Sequence, residues 1–239
     1  MSDSKRLTSK PKGAVRPTSA VDRFLRDVAV TPAPGETRGR GRMIFAMDAT
    51  ASREPTWDKA CELQGEMFEA AAGLGGLAVQ LAYYRGFREF QTSAWLRDSR
   101  SLVTEMTGVR CRGGHTQIAR LLDHALKEAR TEPVGALVFV GDSVEENPDT
   151  LCELAGELGL LGLKAFMFLE GRDPLAESTF REIARLTGGA CVPFDSNSAD
   201  QLRDLLGAVA SYVAGGRVAL ERYGQGKSAS VLRLTRQIK

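Results

Sequence analysis

The sequence predicts an α/β protein with a Rossmann-like, doubly wound, mostly parallel six-stranded sheet and helices on both faces. Three observations lead there. Short apolar runs of strand length alternate with longer segments of helical period along most of the 239 residues. The first run, Met43-Ile44-Phe45-Ala46-Met47, is apolar without alternation, as a strand buried on both faces must be. It then runs into Asp48-Ala49-Thr50-Ala51-Ser52, a carboxylate and two hydroxyls on a loop at the carboxyl edge of the sheet. Open α/β folds hold their ligands at that edge.

In chain order, residues 1–41 read as a basic flexible tail. Residues 1–42 hold ten Lys/Arg against four Asp/Glu, whereas 43–239 hold 22 against 26. Within the tail, Val21, Phe24, Leu25 and Val28 have the spacing of a short amphipathic helix over 19–28, with Ser19 as its cap. Residues 42–216 read as the folded domain and 217–239 as a C-terminal extension, partly helical. After the first strand, Pro55 suits a first helical turn, and Ala60, Leu63, Met67, Ala71 and Leu74 share one face up to Gly73, Gly75 and Gly76. Leu77–Tyr84 is the second strand. Arg85-Gly86-Phe87 links it tightly to an alternating third strand, Arg88–Trp95, which predicts an antiparallel edge hairpin.

A short helix over Asp98–Thr107 follows. Gly113-Gly114-His115-Thr116 then leads into a helix with Ile118, Leu121, Leu122, Ala125 and Ala129 inward. Ala136–Val140 is the fourth strand and ends in Gly141-Asp142; Pro148 opens the next helix. Lys164–Leu169 is the fifth strand and ends in Glu170-Gly171; Asp173-Pro174 begins another helix. Ala190–Phe194 is the sixth strand, and Ser198 caps a last helix with Leu202, Leu205, Leu206, Val209 and Val213. The expected strand order is 3-2-1-4-5-6 with strand 3 antiparallel. Strands 1 and 4 are then neighbours, and the crevice between their carboxyl ends is the switch point. Asp48, Thr50, Ser52, Thr116 and Asp142 all fall on loops that meet there. These are hard oxygen donors of the kind Mg2+ takes, with Mn2+ or Ca2+ as alternatives.

Several functions are poorly matched. No apolar stretch has membrane-spanning length, and the Lys- and Ser-containing N-terminus lacks the apolar core of a secretory signal, so a cytoplasmic location and no membrane partner are expected. Cys61, Cys111, Cys152 and Cys191 are scattered without metal-ligand spacing and read as reduced, mostly buried thiols. A phosphatase that starts from a strand-end Asp needs a second Asp two residues on, where Thr50 stands. Gly226-Lys227-Ser228 lacks the first glycine of a P-loop, since Glu221 occupies that place, and Gly73-Leu74-Gly75-Gly76 precedes a strand instead of following one. No nucleophile–base pair is visible around His115 or His124, so no enzyme is expected. The basic tail lacks interleaved aromatics, and nucleic acid is not an expected partner. Each piece of the site also has a plainer reading alone: Asp48-x-Thr50-x-Ser52 as capping and turn chemistry, Thr116 as an N-cap, Asp142 as a loop acid.

Taken together, Asp48-x-Thr50-x-Ser52, Gly-Gly-His-Thr116 and Gly141-Asp142 after an apolar strand resemble the metal-ion-dependent adhesion site (MIDAS) of von Willebrand factor type A (VWA) domains. The resemblance covers about 43–214. The middle Ser of the family motif is replaced by Thr50, which keeps the hydroxyl. The resemblance implies that Thr50, Ser52 and Thr116 ligate a metal through hydroxyls, and that Asp48 and Asp142 do so directly or through water. A partner protein's Glu or Asp would fill the open position. His115, Glu145 and Glu170 are then expected on the partner-binding rim. Intracellular bacterial members of this type imply a partner among assembly machinery, such as an AAA+ ATPase of the MoxR kind. The rival expectation is a metal-free scaffold that binds through the N-terminal helix and tail.

Overall fold

The computed structural model describes residues 41–195 and 199–238. The expected helix over 19–28 and the Ser198 cap lie outside the described residues. The chain runs β1 (Gly41–Asp48), a 3-10 turn (Ala51–Arg53), α1 (Glu54–Leu63), α2 (Gly65–Ala72), β2 (Leu77–Arg85), β3 (Glu89–Leu96) and α3 (Ser99–Thr107). It continues through α4 (Ile118–Thr131), β4 (Ala136–Gly141), α5 (Pro148–Leu160), β5 (Lys164–Glu170), α6 (Pro174–Thr187), β6 (Ala190–Phe194), α7 (Ala199–Tyr223) and α8 (Ala229–Gln237).

The strands form one sheet in the expected order, β3-β2-β1-β4-β5-β6, with only β3 antiparallel. β1 lies at the centre: Phe45 is in register with Leu81 of β2 and with Val138 of β4. Its unbroken apolar run has a direct cause. Met43, Phe45 and Met47 face a core with Trp57 of α1, Met67 of α2, and Leu205 and Val209 of α7. Ile44 and Ala46 face a second core with Leu122 of α4, Leu151 of α5 and Phe180 of α6. Helices thus cover both faces, and a polar residue on either side of β1 would lose its water. Each fully buried Phe or Met here contributes on the order of 1.5–3 kcal/mol.

Two expectations are refined. The single helix predicted from Pro55 is two, α1 and α2, bent at Gln64. Gly65 follows the bend and supports a helix poorly, while the buried Gln64 donates through Nε2 to Ser99 Oγ (3.4 Å). Residues 217–238 pack into the domain. A kink at Gly216 (φ 68°) turns α7, and Leu220, Val231, Leu234 and Ile238 join the first core. The Gln237 amide accepts from Cys191 N and donates to Cys191 O, both at 3.0 Å. Gln237 therefore pairs with the outer backbone of β6 as a neighbouring strand would, and blunts that edge.

Candidate metal centre

The site grows from the carboxyl ends of β1 and β4. These strands are adjacent (Met47 opposite Val140), so Asp48 and Asp142 leave the sheet side by side. Asp48 Oδ1 accepts from Thr50 N at 2.7 Å, which folds the loop back over the strand end. The Thr50 and Ser52 hydroxyls then lie 3.3 Å apart at the surface. Burial pushes the Asp48 carboxyl up from 3.8 to about 6; the Thr50 hydrogen bonds oppose the rise, Asp142 adds to it and Arg53 opposes it. The buried Tyr84 hydroxyl faces Asp48 without a hydrogen bond of normal geometry, and burial beside Asp48, Glu146 and Asp142 holds it protonated.

Thr116 reaches the site on the loop between α3 and α4. That loop is stitched down by Arg112 N donating to Ala49 O (3.0 Å) and His115 N donating to Gly86 O (3.2 Å). Gly114 passes so close to Gly86 that a side-chain carbon there would meet its carbonyl oxygen at 2.0 Å. Thr116 Oγ1 accepts from Glu145 N (3.0 Å), and Thr116 N donates back to Glu145 Oε2 (2.8 Å). One hydroxyl lone pair and the proton direction remain for another ligand. Thr116 does not cap α4. Glu146 does so from across the crevice, accepting from Ile118 N (2.8 Å) and Ala119 N (2.7 Å). The helix N-terminus, which favours a nearby anion, is thus met by a carboxylate of the chain itself.

The expected rim changes accordingly. His115 is exposed there, its Nδ1 3.0 Å from Glu145 Oε2. Glu145 is half exposed but clasps the Thr116 turn, so it positions a site residue as well as lining the rim. Glu170 is a correction: it is buried in the floor of the site, not on an open rim. It accepts from Thr56 Oγ1 (2.6 Å) and from Arg53 Nη1. Arg53 is the residue that sequence reasoning missed. It is 8% exposed, and its Nε sits 3.3 Å from Asp142 Oδ2, an ion-pair contact without hydrogen-bond geometry. Beside these groups a cavity of about 900 Å³ opens over the ends of β4, β5 and β6, lined among others by Arg53, Arg172, Phe194 and Gln201.

The donor set fits a hard divalent cation. Asp48, Asp142 and Glu170 carry three negative charges when ionised, against the one positive charge of Arg53 among them. The buried Asp48 carboxylate has no cation of its own within ion-pairing distance among the described residues. Among those residues no three His, Cys, Asp or Glu side chains cluster as a metal site of their own. The set here is two carboxylates and three hydroxyls, an oxygen set of the Mg2+ type. The cysteines take no part: burial raises all four thiols, those of Cys61, Cys111 and Cys191 to about 11, and three are only partly buried.

No family model matches this chain, and no curated protein matches it in sequence. Solved structures do match in fold. The SpRpn10 VWA domain superposes with a TM-score of 0.54 at 14% identity, over 70% of this chain and 94% of that one. The von Willebrand factor domain of the type V pili tip protein Mfa5 from Porphyromonas gingivalis gives 0.55 at 9% identity, over 73% and 95%. Proximal thread matrix protein 1 of the mussel byssus, solved with zinc in its MIDAS motif, gives 0.56 at 14% identity, over 72% of this chain and 48% of that one. The fold is that of a VWA domain. Among the described residues no helix is long and apolar enough to cross a membrane.

Proposed function

We propose that this VWA fold is a protein-binding module that takes a Glu or Asp of a partner onto a divalent cation, Mg2+ before Mn2+ or Ca2+. What supports the reading is that Asp48 and Asp142 end neighbouring strands, that the Thr50 and Ser52 hydroxyls adjoin on the Asp48 loop, that the Thr116 loop is tied to Ala49, and that carboxylate charge exceeds the Arg53 guanidinium. When bound, the cation supplies an exchangeable position for an outside carboxylate. The chain's own residues do the rest. Asp48 orders the loop through Thr50 N, Glu145 fixes Thr116, and Arg53 holds Asp142 against the floor. Binding without catalysis belongs to the same reading, as do a cytoplasmic location, supported by four free cysteines, and an assembly partner such as an AAA+ ATPase, supported by family resemblance.

Arg53 favours one second reading. A resident guanidinium already on Asp142 and Glu170 suits a metal-free scaffold that binds through other surfaces. Calorimetric titration with Mg2+ and Mn2+ separates the two. The metal reading expects saturable binding near one ion per chain, lost in Asp48→Ala. Absence of binding in the wild type overturns it and leaves Arg53 as the cation of the site.

A further inference from the structure

A strongly basic surface lies beside the candidate metal centre. The β2–β3 turn with the strand ends beside it, and the loop before α4 with that helix's first turn, residues 85–90 and 108–120, contain five arginines and one acidic residue, Glu89. Residues 43–239 as a whole, this patch included, are mildly acidic, with 22 Lys/Arg against 26 Asp/Glu. Arg85 is spent on structure, donating to Arg110 O (2.7 Å) and pairing with Glu89 (2.5 Å). Arg88, Arg110 and Arg120 are exposed, and no carboxylate lies within ion-pair distance of them among the described residues. Arg112 is exposed too, with only a loose contact to Glu89 at 3.8 Å.

Phe87 stands in the middle of these charges, 74% exposed. Its ring meets that of His115 edge-on at 5.2 Å, one residue from Thr116. A shallow cavity of about 430 Å³ runs alongside, lined by Phe87, Arg88, Phe90, Gln91 and Arg112. The patch is continuous with the centre, because Gly86, Arg112 and His115 are tied by backbone hydrogen bonds to each other's loops and to Ala49.

We infer that this face receives an acidic segment of the partner protein. It rests on the preceding reading: one carboxylate goes to the cation, and those beside it in the partner's sequence go to Arg88, Arg112 and their neighbours. Arginine pairs with carboxylates through two parallel N–H bonds, which gives the interaction direction as well as strength. Phe87 supplies an apolar anchor among the charges, as aromatic and Arg residues do at the centres of interfaces. At the centre itself the chain presents carboxylates: Asp142 beside Arg53, and Glu145 and Glu146 on the Thr116 turn and the start of α4. A long polyanion crossing the site would be repelled there, so a short acidic segment fits better than a nucleic-acid strand.

The test uses the full chain, a fluorescein-labelled poly-glutamate peptide and a labelled single-stranded oligothymidine of similar charge, followed by anisotropy with and without Mg2+. The peptide should bind the wild type, and R88E/R112E should weaken it by about tenfold or more. R88Q/R112Q should fall between, and F87S should weaken it with no change in Mg2+ binding by calorimetry. No peptide binding to the wild type, a charge reversal that leaves affinity within about twofold, or tighter binding of the oligonucleotide would each overturn the inference. The D48A variant reports on the other reading. Loss of the Mg2+ effect with retained Arg dependence supports both. Peptide binding that depends on the arginines but never on Mg2+ sinks the metal reading and leaves the acidic-segment surface standing.

Discussion

Arg53 is the residue on which the candidate centre turns. It is buried beneath the metal-type loop and satisfies Glu170, which is itself 8% exposed and hydrogen-bonded to Thr56. A buried carboxylate that loses its counter-charge keeps the full cost of leaving water. Arg53→Ala should therefore destabilise the domain by about 3 kcal/mol, read from urea unfolding of wild type and variant. A double variant with Glu170→Gln should recover part of that loss, because the orphaned charge is gone. A loss in Arg53→Ala below about 1 kcal/mol would mean that water reaches Glu170 and that the guanidinium is not what holds the floor. Nothing in the order of residue types marks Arg53. It sits one place after Ser52, where an arginine reads as solvated, and only the 3-10 turn aims it inward.

At the scale of elements, the loop from α3 to α4 is held by close backbone contact as well as by Val109 and Cys111 packed on the first core. Gly114 lies against Gly86, and its neighbour Gly113 has open space around it. Gly114→Ala must push the loop off the β2–β3 turn, at a cost of about 1–3 kcal/mol. Because Thr116 rides on that loop, Mg2+ affinity should fall in the same variant. Gly113→Ala is the control and should leave both unfolding and calorimetry near the wild-type values. Equal behaviour of the two variants would show that the loop is not registered by this contact. The sequence marks the glycines, but not which of them meets a backbone. Likewise the sequence offers Glu145 only as a rim residue and does not mark its neighbour Glu146 as a cap of α4. In the fold they clasp Thr116 and the start of α4 from across the crevice, a pairing about 28 residues apart in the chain.

For the whole molecule, the sheet ends are as telling as its centre. β6 is an edge strand containing Pro193, a residue that edges tolerate and central strands do not. α8 covers its outer side with Val231 and Leu234 in the core and Gln237 on the Cys191 backbone. Removing residues 224–239 should lower the melting temperature and promote association through the bared β6 edge, measured by thermal unfolding and light scattering. Gln237→Ala should cost about 1–2 kcal/mol through two lost hydrogen bonds. If the truncated chain melts like the full one, residues 224–238 are an appendage with no share in the core.

By itself the sequence determined the sheet and the meeting place of its loops. Strand order, the antiparallel edge strand and the switch point all followed from apolar runs, periodicity and short links. These signals are local, and burial on two faces leaves no freedom to disguise them. The placement of Asp48, Thr50 and Ser52 at the end of β1 and on the loop after it was legible for the same reason. Only the tertiary structure decided how the charges divide. It put Arg53 on Asp142 and Glu170, turned Glu145 and Glu146 into clasps, drew residues 217–238 into the core and gathered the arginines of two separate loops beside Phe87. A side chain's charge is written in the sequence, but whether it faces water, a counter-ion or a partner depends on residues tens of positions away, which only the folded chain brings within ångströms.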